Sequence, residues 1–230
     1  MSVIDRSLAG QRSTREQTRA RYPDETGLVD RDGVKVFWER YGDGEPTVLL
    51  LPTWSIVHSR SWKAQIPYLA RHFRVITFDG RGNGRSDRPR DPGAYTADEF
   101  AADALAVMDA TGTPRAVLVS LSRGAERCLL LGADHQDRVE AMVFIAPAVP
   151  LPPSAPRAGA ESEFIKPRDS YEGWGKWNRN YWLEHYAEFV EFFFSQVFTE
   201  PHSTKQREDS VGWALETDAE TLVATQLAER

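Results

Sequence analysis

The chain contains 230 residues with a formal net charge of −6, and 41% of its residues are hydrophobic. This length suits one sizeable domain, and the negative charge argues against a sequence-independent nucleic-acid binder, which needs clustered positive charge. No apolar run approaches the length of a membrane span. The single cysteine, Cys128, excludes an internal disulfide, and the N-terminus lacks an apolar signal core. The sequence therefore predicts a cytoplasmic enzyme or binding domain that acts on neither nucleic acid nor membrane.

Strands and helices are predicted to alternate as far as residue 146, which indicates a doubly wound, mostly parallel sheet with helices on both faces. Asp32 and Gly33 are a hairpin signal between the first two strands, and Thr96 with Glu99 is a capping box. The predicted strands are short runs between turn signals, at residues 27–30, 34–39, 47–51, 74–78, 115–120 and 140–146. The predicted helices have apolar side chains at helical spacing, at residues 62–72, 97–108, 123–133 and 218–230.

A proline-rich stretch and an aromatic-rich segment follow the last predicted strand. Five prolines between residues 147 and 156 predict a stiff connection. Residues 171–198 contain 11 aromatic residues, and several of them, including Trp182 and Phe189, recur at helical spacing. A helix that is apolar around its circumference must bury two sides.

Residues 120–124, Ser-Leu-Ser-Arg-Gly, lie between a predicted strand and a predicted helix. A nucleophile elbow requires this context, because a serine on a strained strand-to-helix turn projects its hydroxyl freely. The strand and helix nearly collide at such a turn, and Ser120 and Gly124 are small enough to leave room. N–H groups at the helix N-terminus also favour developing negative charge. We therefore predict that Ser122 is a nucleophile; the alternative is a surface turn that contains serines.

A second part of the same site is predicted where the first buried strand ends, at residues 50–54. Acyl transfer needs two N–H donors directed at the oxyanion, and one usually comes from the loop after an adjacent strand. The backbone N–H groups of Trp54 and Arg123 suit these two positions. The alternative is that Trp54 only fills the edge of the core.

Three stretches together resemble the α/β-hydrolase superfamily, in particular its esterase, peptidase and haloperoxidase-like branch. They are residues 47–62, residues 74–87 with the run Asp-Gly-Arg-Gly-Asn-Gly-Arg-Ser-Asp, and residues 120–124. The resemblance implies that Ser122 is the nucleophile, that Trp54 and Arg123 form the oxyanion hole, and that a helical lid covers the pocket.

The resemblance also implies a division of the chain into four parts. These are a flexible segment at 1–24, an α/β-hydrolase core at 25–150, a helical lid at 151–215 and the start of the C-terminal core part at 216–230. In the lid, Trp182, His185 and Phe189 are expected to line a pocket for an apolar acyl substrate. The alternative is that the aromatic side chains only fill the core.

The chain departs from this family in three places. Pro52 and Thr53 replace the usual His-Gly pair, and Ser120 replaces the first glycine of the elbow. In the family the catalytic acid and histidine follow the lid, and no such segment is recognisable here. We therefore expect an incomplete hydrolase with C-terminal strands missing. Its strand at residues 140–146 would be an exposed apolar edge, prone to self-association or to pairing with another chain.

The five histidines do not supply an obvious general base. His58, His72 and His135 are expected at the surface or at helix ends, whereas His185 and His202 follow Ser122 but lie in the lid. A serine hydroxyl is a poor nucleophile without a base within hydrogen-bond reach. The chain alone is therefore predicted to have little hydrolytic activity.

Other interpretations receive less support from the sequence. Residues 80–84 resemble a dinucleotide-binding loop, but the third glycine is replaced by Arg85 and the following prolines oppose a helix. Asp79 is expected to cap this loop, and no spacing indicates a metal site or a cofactor. The predicted function is a serine hydrolase for a small ester or related acyl compound. A non-catalytic ligand- or partner-binding module and a cofactor-free, haloperoxidase-like oxidation are the alternatives.

Overall fold

The computed structural model describes residues 19–149 and 160–228, so most of the predicted N-terminal segment and most of the proline-rich connection lie outside the described residues. The strands are β1 (Glu25–Arg31), β2 (Val34–Tyr41), β3 (Thr47–Leu50), β4 (Arg74–Phe78), β5 (Ala116–Leu121) and β6 (Val139–Ile145). The α-helices are α1 (Ile66–Leu69), α2 (Ala97–Ala110), α3 (Gly124–Asp134), α4 (Ala160–Ile165), α5 (Arg179–Val197), α6 (Thr204–Ala214) and α7 (Ala219–Leu227).

The strands form one sheet in the order β1-β2-β4-β3-β5-β6. The β1–β2 and β2–β4 pairs are antiparallel, whereas β4, β3, β5 and β6 run parallel to one another. This arrangement confirms the predicted mostly parallel sheet. Because β3 and β5 are parallel neighbours, the loops that follow them lie close together, at the carboxyl ends of the strands.

Helices cover both faces of the sheet, as predicted. Leu49 and Leu51 point to one face, where Ala104 and Met108 of α2 and residues of α3 join a buried core. Val48 and Leu50 point to the opposite face and pack with Trp62 and Ile66. A continuous apolar run is typical of a strand that is buried on both faces.

Local signals explain where several elements begin and end. Asp32 and Gly33 both have positive φ angles, 55° and 83°, as the two-residue hairpin turn requires. Thr96 accepts a hydrogen bond from the Glu99 N–H and caps α2. The predicted helix at 62–72 is much shorter in the structure, because Pro67 fits only the first turn of a helix and α1 therefore begins at Ile66.

The helices at residues 160–228, here called the helical region, pack around a second core. Residues of α5, α6 and α7 join Trp54 in this core, and α5 buries Tyr181, Trp182 and Phe189 among others. The helix α6 was not predicted from the sequence, because its polar residues obscure the few apolar side chains that it buries. None of the helices within the described ranges is both long enough and apolar enough to cross a bilayer.

Candidate active site

Ser122 lies on the tight turn between β5 and α3. Its φ angle is 51°, in the left-handed region that residues other than glycine rarely adopt. The turn is held from both sides, since the Ser122 N–H donates to the Ile145 carbonyl at 3.0 Å and the Ser122 carbonyl accepts from Ala125 N–H at 3.0 Å. The serine is only partly buried. This is the conformation expected of a serine on a nucleophile elbow.

The two small residues of the elbow allow the close packing that this turn needs. Ser120 is fully buried, and its hydroxyl donates to the Val143 carbonyl at 3.1 Å. A Cβ atom at Gly124 would lie 2.9 Å from the carbonyl oxygen of Pro52. The start of α3 therefore touches the loop that follows β3, and a larger residue at position 124 would separate them.

The loop at residues 52–54, here called the oxyanion loop, carries one of the predicted donors. Trp54 is 7% exposed, and its backbone N–H donates to no acceptor in the described parts of the chain. Such a buried N–H is rare in folded proteins. The second predicted donor, the Arg123 N–H, lies at the start of α3, where N–H groups have no acceptor within the helix. The structure thus places both predicted donors on two segments that touch each other.

The Trp54 side chain joins the oxyanion loop to the helical region. Its indole N–H donates to the Thr225 hydroxyl at 2.7 Å. Its ring lies 5.3 Å from the Trp177 ring and 5.5 Å from the Phe193 ring, between centroids. Together with Trp182 and Phe189 these rings form an aromatic cluster that packs against the oxyanion loop through Trp54.

The predicted pocket residues fall in two different environments. Trp182 and Phe189 are fully buried in the aromatic cluster, with ring centroids 4.4 Å apart, and the Trp182 indole N–H has no partner among the described residues. His185 lies at a kink in α5. Its side chain is 46% exposed, with Nδ1 3.4 Å from the Glu188 carboxylate. A role for these residues in substrate binding stays a prediction.

His58 is the histidine whose surroundings the sequence did not reveal. It precedes a short 3-10 helix at Ser59–Trp62, as a helix-end residue, but its side chain is buried. Its Nδ1 lies 3.7 Å from the Asp79 carboxylate and its Nε2 lies 3.5 Å from the Glu216 carboxylate. Glu216 is far away in the sequence, so no local pattern predicts this contact.

The remaining histidines lie at the surface or at the end of a helix. His72 and His202 are exposed, and His135 follows the last residue of α3. All five histidines are in the described ranges, and none of them is hydrogen-bonded to Ser122. The described geometry therefore contains a serine on a left-handed strand-to-helix turn and a neighbouring loop whose Trp54 N–H has no acceptor, without a histidine in contact with the hydroxyl.

Asp79 caps the glycine-rich loop, as predicted. Its carboxylate accepts hydrogen bonds from the Ser59 N–H at 3.1 Å, the Ser59 hydroxyl at 2.6 Å and the Arg85 N–H at 2.9 Å. No α-helix begins directly after this loop, since the next element is the 3-10 helix Pro92–Tyr95. The described residues contain no group of three or more His, Cys, Asp or Glu side chains placed to hold a metal ion.

The sequence patterns did not predict the burial of two arginines, Arg81 and Arg127. The Arg81 guanidinium donates twice to the Asp103 carboxylate, each time at 2.7 Å. Arg127, on α3, donates to the carbonyl oxygens of Pro52 and Thr53 at 2.6 Å and 2.5 Å. A signal for Arg127 exists in the sequence, because position 127 is three residues after Gly124 and four before Leu131 on the buried face of a helix.

The comparisons with known proteins identify the family of the fold. The sequence profile of the family described as "alpha/beta hydrolase fold" matches residues 46–204. A putative carbamate hydrolase from Caulobacter segnis is 38% identical over 84 residues, which are 36% of this chain and 32% of that protein. Epoxide hydrolase A from Mycobacterium tuberculosis is 34% identical over 140 residues, 60% of this chain and 43% of that protein.

A solved structure supports the same fold. An esterase from Exiguobacterium antarcticum has a TM-score of 0.69 at 19% sequence identity, with 87% of this chain and 71% of the esterase chain covered. The matches to the two relatives above span less than half of those proteins' lengths. Because the family profile covers well over half of the chain and the fold agrees with it, the protein belongs to the α/β hydrolase fold family.

Proposed function

We propose that the protein is a serine hydrolase that is acylated on Ser122 by a small ester or a related acyl compound. The observation that carries this proposal is the left-handed conformation of Ser122 between β5 and α3. The oxyanion loop lies in contact with the same helix start, and its Trp54 N–H has no acceptor among the described residues. These observations support Ser122 as the nucleophile and the Trp54 N–H as an oxyanion donor, at the carboxyl ends of β5 and β3.

The proposed reaction begins when Ser122 Oγ attacks the carbonyl carbon of the substrate. The carbonyl oxygen becomes negatively charged, and the N–H groups of Trp54 and Arg123 donate hydrogen bonds to it. The carbon–oxygen bond to the leaving alcohol then breaks, and the acyl group remains as an ester on Ser122. The hydroxyl proton of Ser122 is lost to solvent, and the leaving oxygen departs as an anion or takes up a proton from water. Water hydrolyses that ester and regenerates the serine.

The rate of this reaction depends on a base that removes the hydroxyl proton. None of the five histidines is hydrogen-bonded to Ser122, so the proton has no histidine acceptor in this arrangement. Acylation and deacylation are then both slow. We therefore expect a Ser122-dependent reaction with an activated ester, but little sustained turnover by the 230-residue chain.

The names of similar proteins and the aromatic cluster support this substrate class. The relatives include a putative carbamate hydrolase and an esterase, and both of these substrate groups contain an acyl carbon with a leaving group. The aromatic cluster around Trp54 supports an apolar acyl portion. Residues 160–215, the described part of the predicted lid, would cover that portion of the substrate.

Acylation by p-nitrophenyl acetate tests the proposal. We expect slow release of about one nitrophenolate per chain, and peptide mass spectrometry should locate the acetyl group on Ser122. Ser122→Ala should abolish both signals, whereas the matched control Ser120→Ala should keep them. Equal labelling of the wild type and Ser122→Ala would overturn the assignment of the nucleophile. Rapid turnover that requires Ser122 would instead show that the chain contains an efficient base.

A non-catalytic binding module is the second candidate, because no histidine contacts Ser122 in the described structure. A fluorophosphonate probe distinguishes the two functions, since the proposed hydrolase should be modified slowly on Ser122, whereas a binding module should not be modified there. If the probe leaves Ser122 unmodified while an apolar ester binds intact, the protein is a binding module on the hydrolase fold.

A further inference from the structure

We propose that Arg127 is a positioning residue that fixes the direction of the Trp54 N–H in the oxyanion loop. This inference rests on the proposed function, since it assigns a task to a residue beside the same site. Arg127 lies one turn into α3, the helix that begins just after Ser122. It is 4% exposed, so it acts through the residues that it touches and not through the solvent.

The hydrogen bonds of Arg127 are directed at the backbone of the oxyanion loop. Its Nη1 donates to the Pro52 carbonyl at 2.6 Å and to the Thr53 carbonyl at 2.5 Å. The Thr53 carbonyl and the Trp54 N–H belong to one planar trans peptide unit, so they point in opposite directions. When Arg127 holds the carbonyl, it also fixes where the N–H points, which is away from the guanidinium.

The sequence of the loop explains why carbonyl oxygens serve as its anchors. Pro52 has no backbone N–H, so its carbonyl oxygen is the only hydrogen-bonding group that its backbone offers. Gly124 lets α3 approach that oxygen closely, and Arg127 follows three residues later on the same side of the helix. The hydrogen bonds of Arg127 therefore hold α3 and the oxyanion loop together next to Ser122.

The surroundings of Arg127 are unusual for a buried charge. No carboxylate oxygen lies within 4.0 Å of its guanidinium in the described residues, whereas the buried Arg81 is paired with Asp103 and Glu99. The guanidinium carbon of Arg127 lies 3.6 Å from the centroid of the Phe100 ring, which provides a cation–π contact. Burial, and to a smaller extent the positive charge of Arg123, lower the pKa of Arg127 to about 9.

A buried cation without a carboxylate partner is costly for stability. A neutral residue of similar volume would fill the space beside Phe100 at a smaller cost, but it could not hold two carbonyl oxygens. The positive charge also lies next to the segment where the proposed reaction develops an oxyanion. These points favour a role in the reaction over a purely structural role.

The experiment compares Arg127→Met with wild type, using the Ser122-dependent acylation by p-nitrophenyl acetate. Because an oxyanion donor that is displaced loses most of its effect, we expect the limiting acylation rate to fall about 10- to 100-fold. The ester concentration at half-saturation should change little. Arg127→Lys keeps a cationic donor and should restore part of the rate.

A matched control separates positioning from loss of stability. Leu131→Ala alters a buried residue one turn further along α3 without touching the oxyanion loop. It should lower the midpoint of urea unfolding but leave the limiting acylation rate of the folded protein unchanged. An Arg127→Met rate within about twofold of wild type would overturn the proposal, and so would a rate loss of equal size in both variants.

A crystal structure of Arg127→Met provides a readout that does not depend on activity. We expect the peptide between Thr53 and Trp54 to rotate or to lose its single orientation. If the carbonyls of Pro52 and Thr53 keep their wild-type positions, Arg127 does not position this loop. If the loop changes but acylation never required Ser122, the positioning role stands and the proposed nucleophile fails.

Discussion

The two edges of the described sheet differ in composition and in how they are covered. At one edge, β1 alternates exposed and half-buried residues, and its last residue, Arg31, binds Glu99 and Asp103 of α2. At the other edge of the described sheet, β6 leaves a row of apolar side chains 38–43% exposed, namely Met142, Val143, Phe144 and Ile145. One edge is charged and tied to a helix, and the other is apolar and open.

The amino-acid composition of β1 suits its position at the edge of the sheet, whereas the composition of β6 does not. Edge strands in natural proteins typically carry charges that oppose further pairing, and β1 has charged residues at both ends. β6 has apolar residues on both of its faces, a composition that is typical of an interior strand. Within the described residues β6 is the last strand of the sheet and its apolar residues are exposed, and its pairing with another strand is an expectation that can be tested.

The largest expected effect concerns Asp103 of α2, which binds Arg31 of the edge strand β1. Asp103 is fully buried and accepts hydrogen bonds from both Arg31 and Arg81. Asp103→Ala would leave two guanidinium groups without this carboxylate, so we expect a loss of about 3–5 kcal/mol in the free energy of unfolding. Urea unfolding monitored by circular dichroism measures it.

A matched control exists on the same helix. Asp109 pairs with Arg138 at 2.7 Å, but its side chain is 68% exposed. Asp109→Ala should therefore cost less than about 1 kcal/mol. Similar losses for Asp103→Ala and Asp109→Ala would contradict the view that the β1 edge depends on a buried anchor.

The second prediction concerns self-association through β6. We expect two copies to pair antiparallel about the midpoint of Met142 and Val143, which places Glu140 opposite Ile145 and brings no like charges together. Val143→Lys should weaken this association at least about 10-fold, equal to about 1.4 kcal/mol. Sedimentation of a concentration series measures the change.

A substitution at the opposite edge provides the comparison for Val143→Lys. Leu28 of β1 is exposed, and Leu28→Lys should leave the association constant unchanged. A wild-type protein that stays monomeric at high concentration, with a reversible and highly stable unfolding transition, would show that β6 needs no partner strand.

The smallest expected effect is the pH dependence of stability that arises from the pair of Glu99 with Arg31. The Arg31 guanidinium holds the pKa of Glu99 below its ordinary value. A carboxyl group whose pKa is lower in the folded state contributes stability above its unfolded pKa of about 4.3, and the contribution is lost as the pH falls through the folded value. Glu99→Gln should therefore lose less stability than wild type between pH 6 and pH 3. Parallel pH curves for the two proteins would contradict this assignment.

Local sequence patterns were sufficient for much of the fold and for the centre of the site. The hairpin turn at Asp32 and Gly33, the cap at Thr96 and the elbow around Ser122 each depend on a few consecutive residues. Their conformations are determined by backbone sterics and by short-range hydrogen bonds, so they can be recognised before the fold is known. The same holds for β3, whose continuous apolar run predicts burial on both faces.

Tertiary structure decided which polar residues became buried and what they contact. Three buried side chains contact residues that are distant in the chain. Arg127 donates hydrogen bonds to the carbonyls of Pro52 and Thr53, and Arg81 donates to the Asp103 carboxylate. His58 lies beside the Glu216 carboxylate. Composition and periodicity describe neighbours in sequence, whereas the cost of burying a charge depends on partners that only the folded chain brings close. The sequence alone therefore determined the serine turn and the strands around it, and the packing of helix against loop decided that Arg127 binds the Pro52 and Thr53 carbonyls beside that turn.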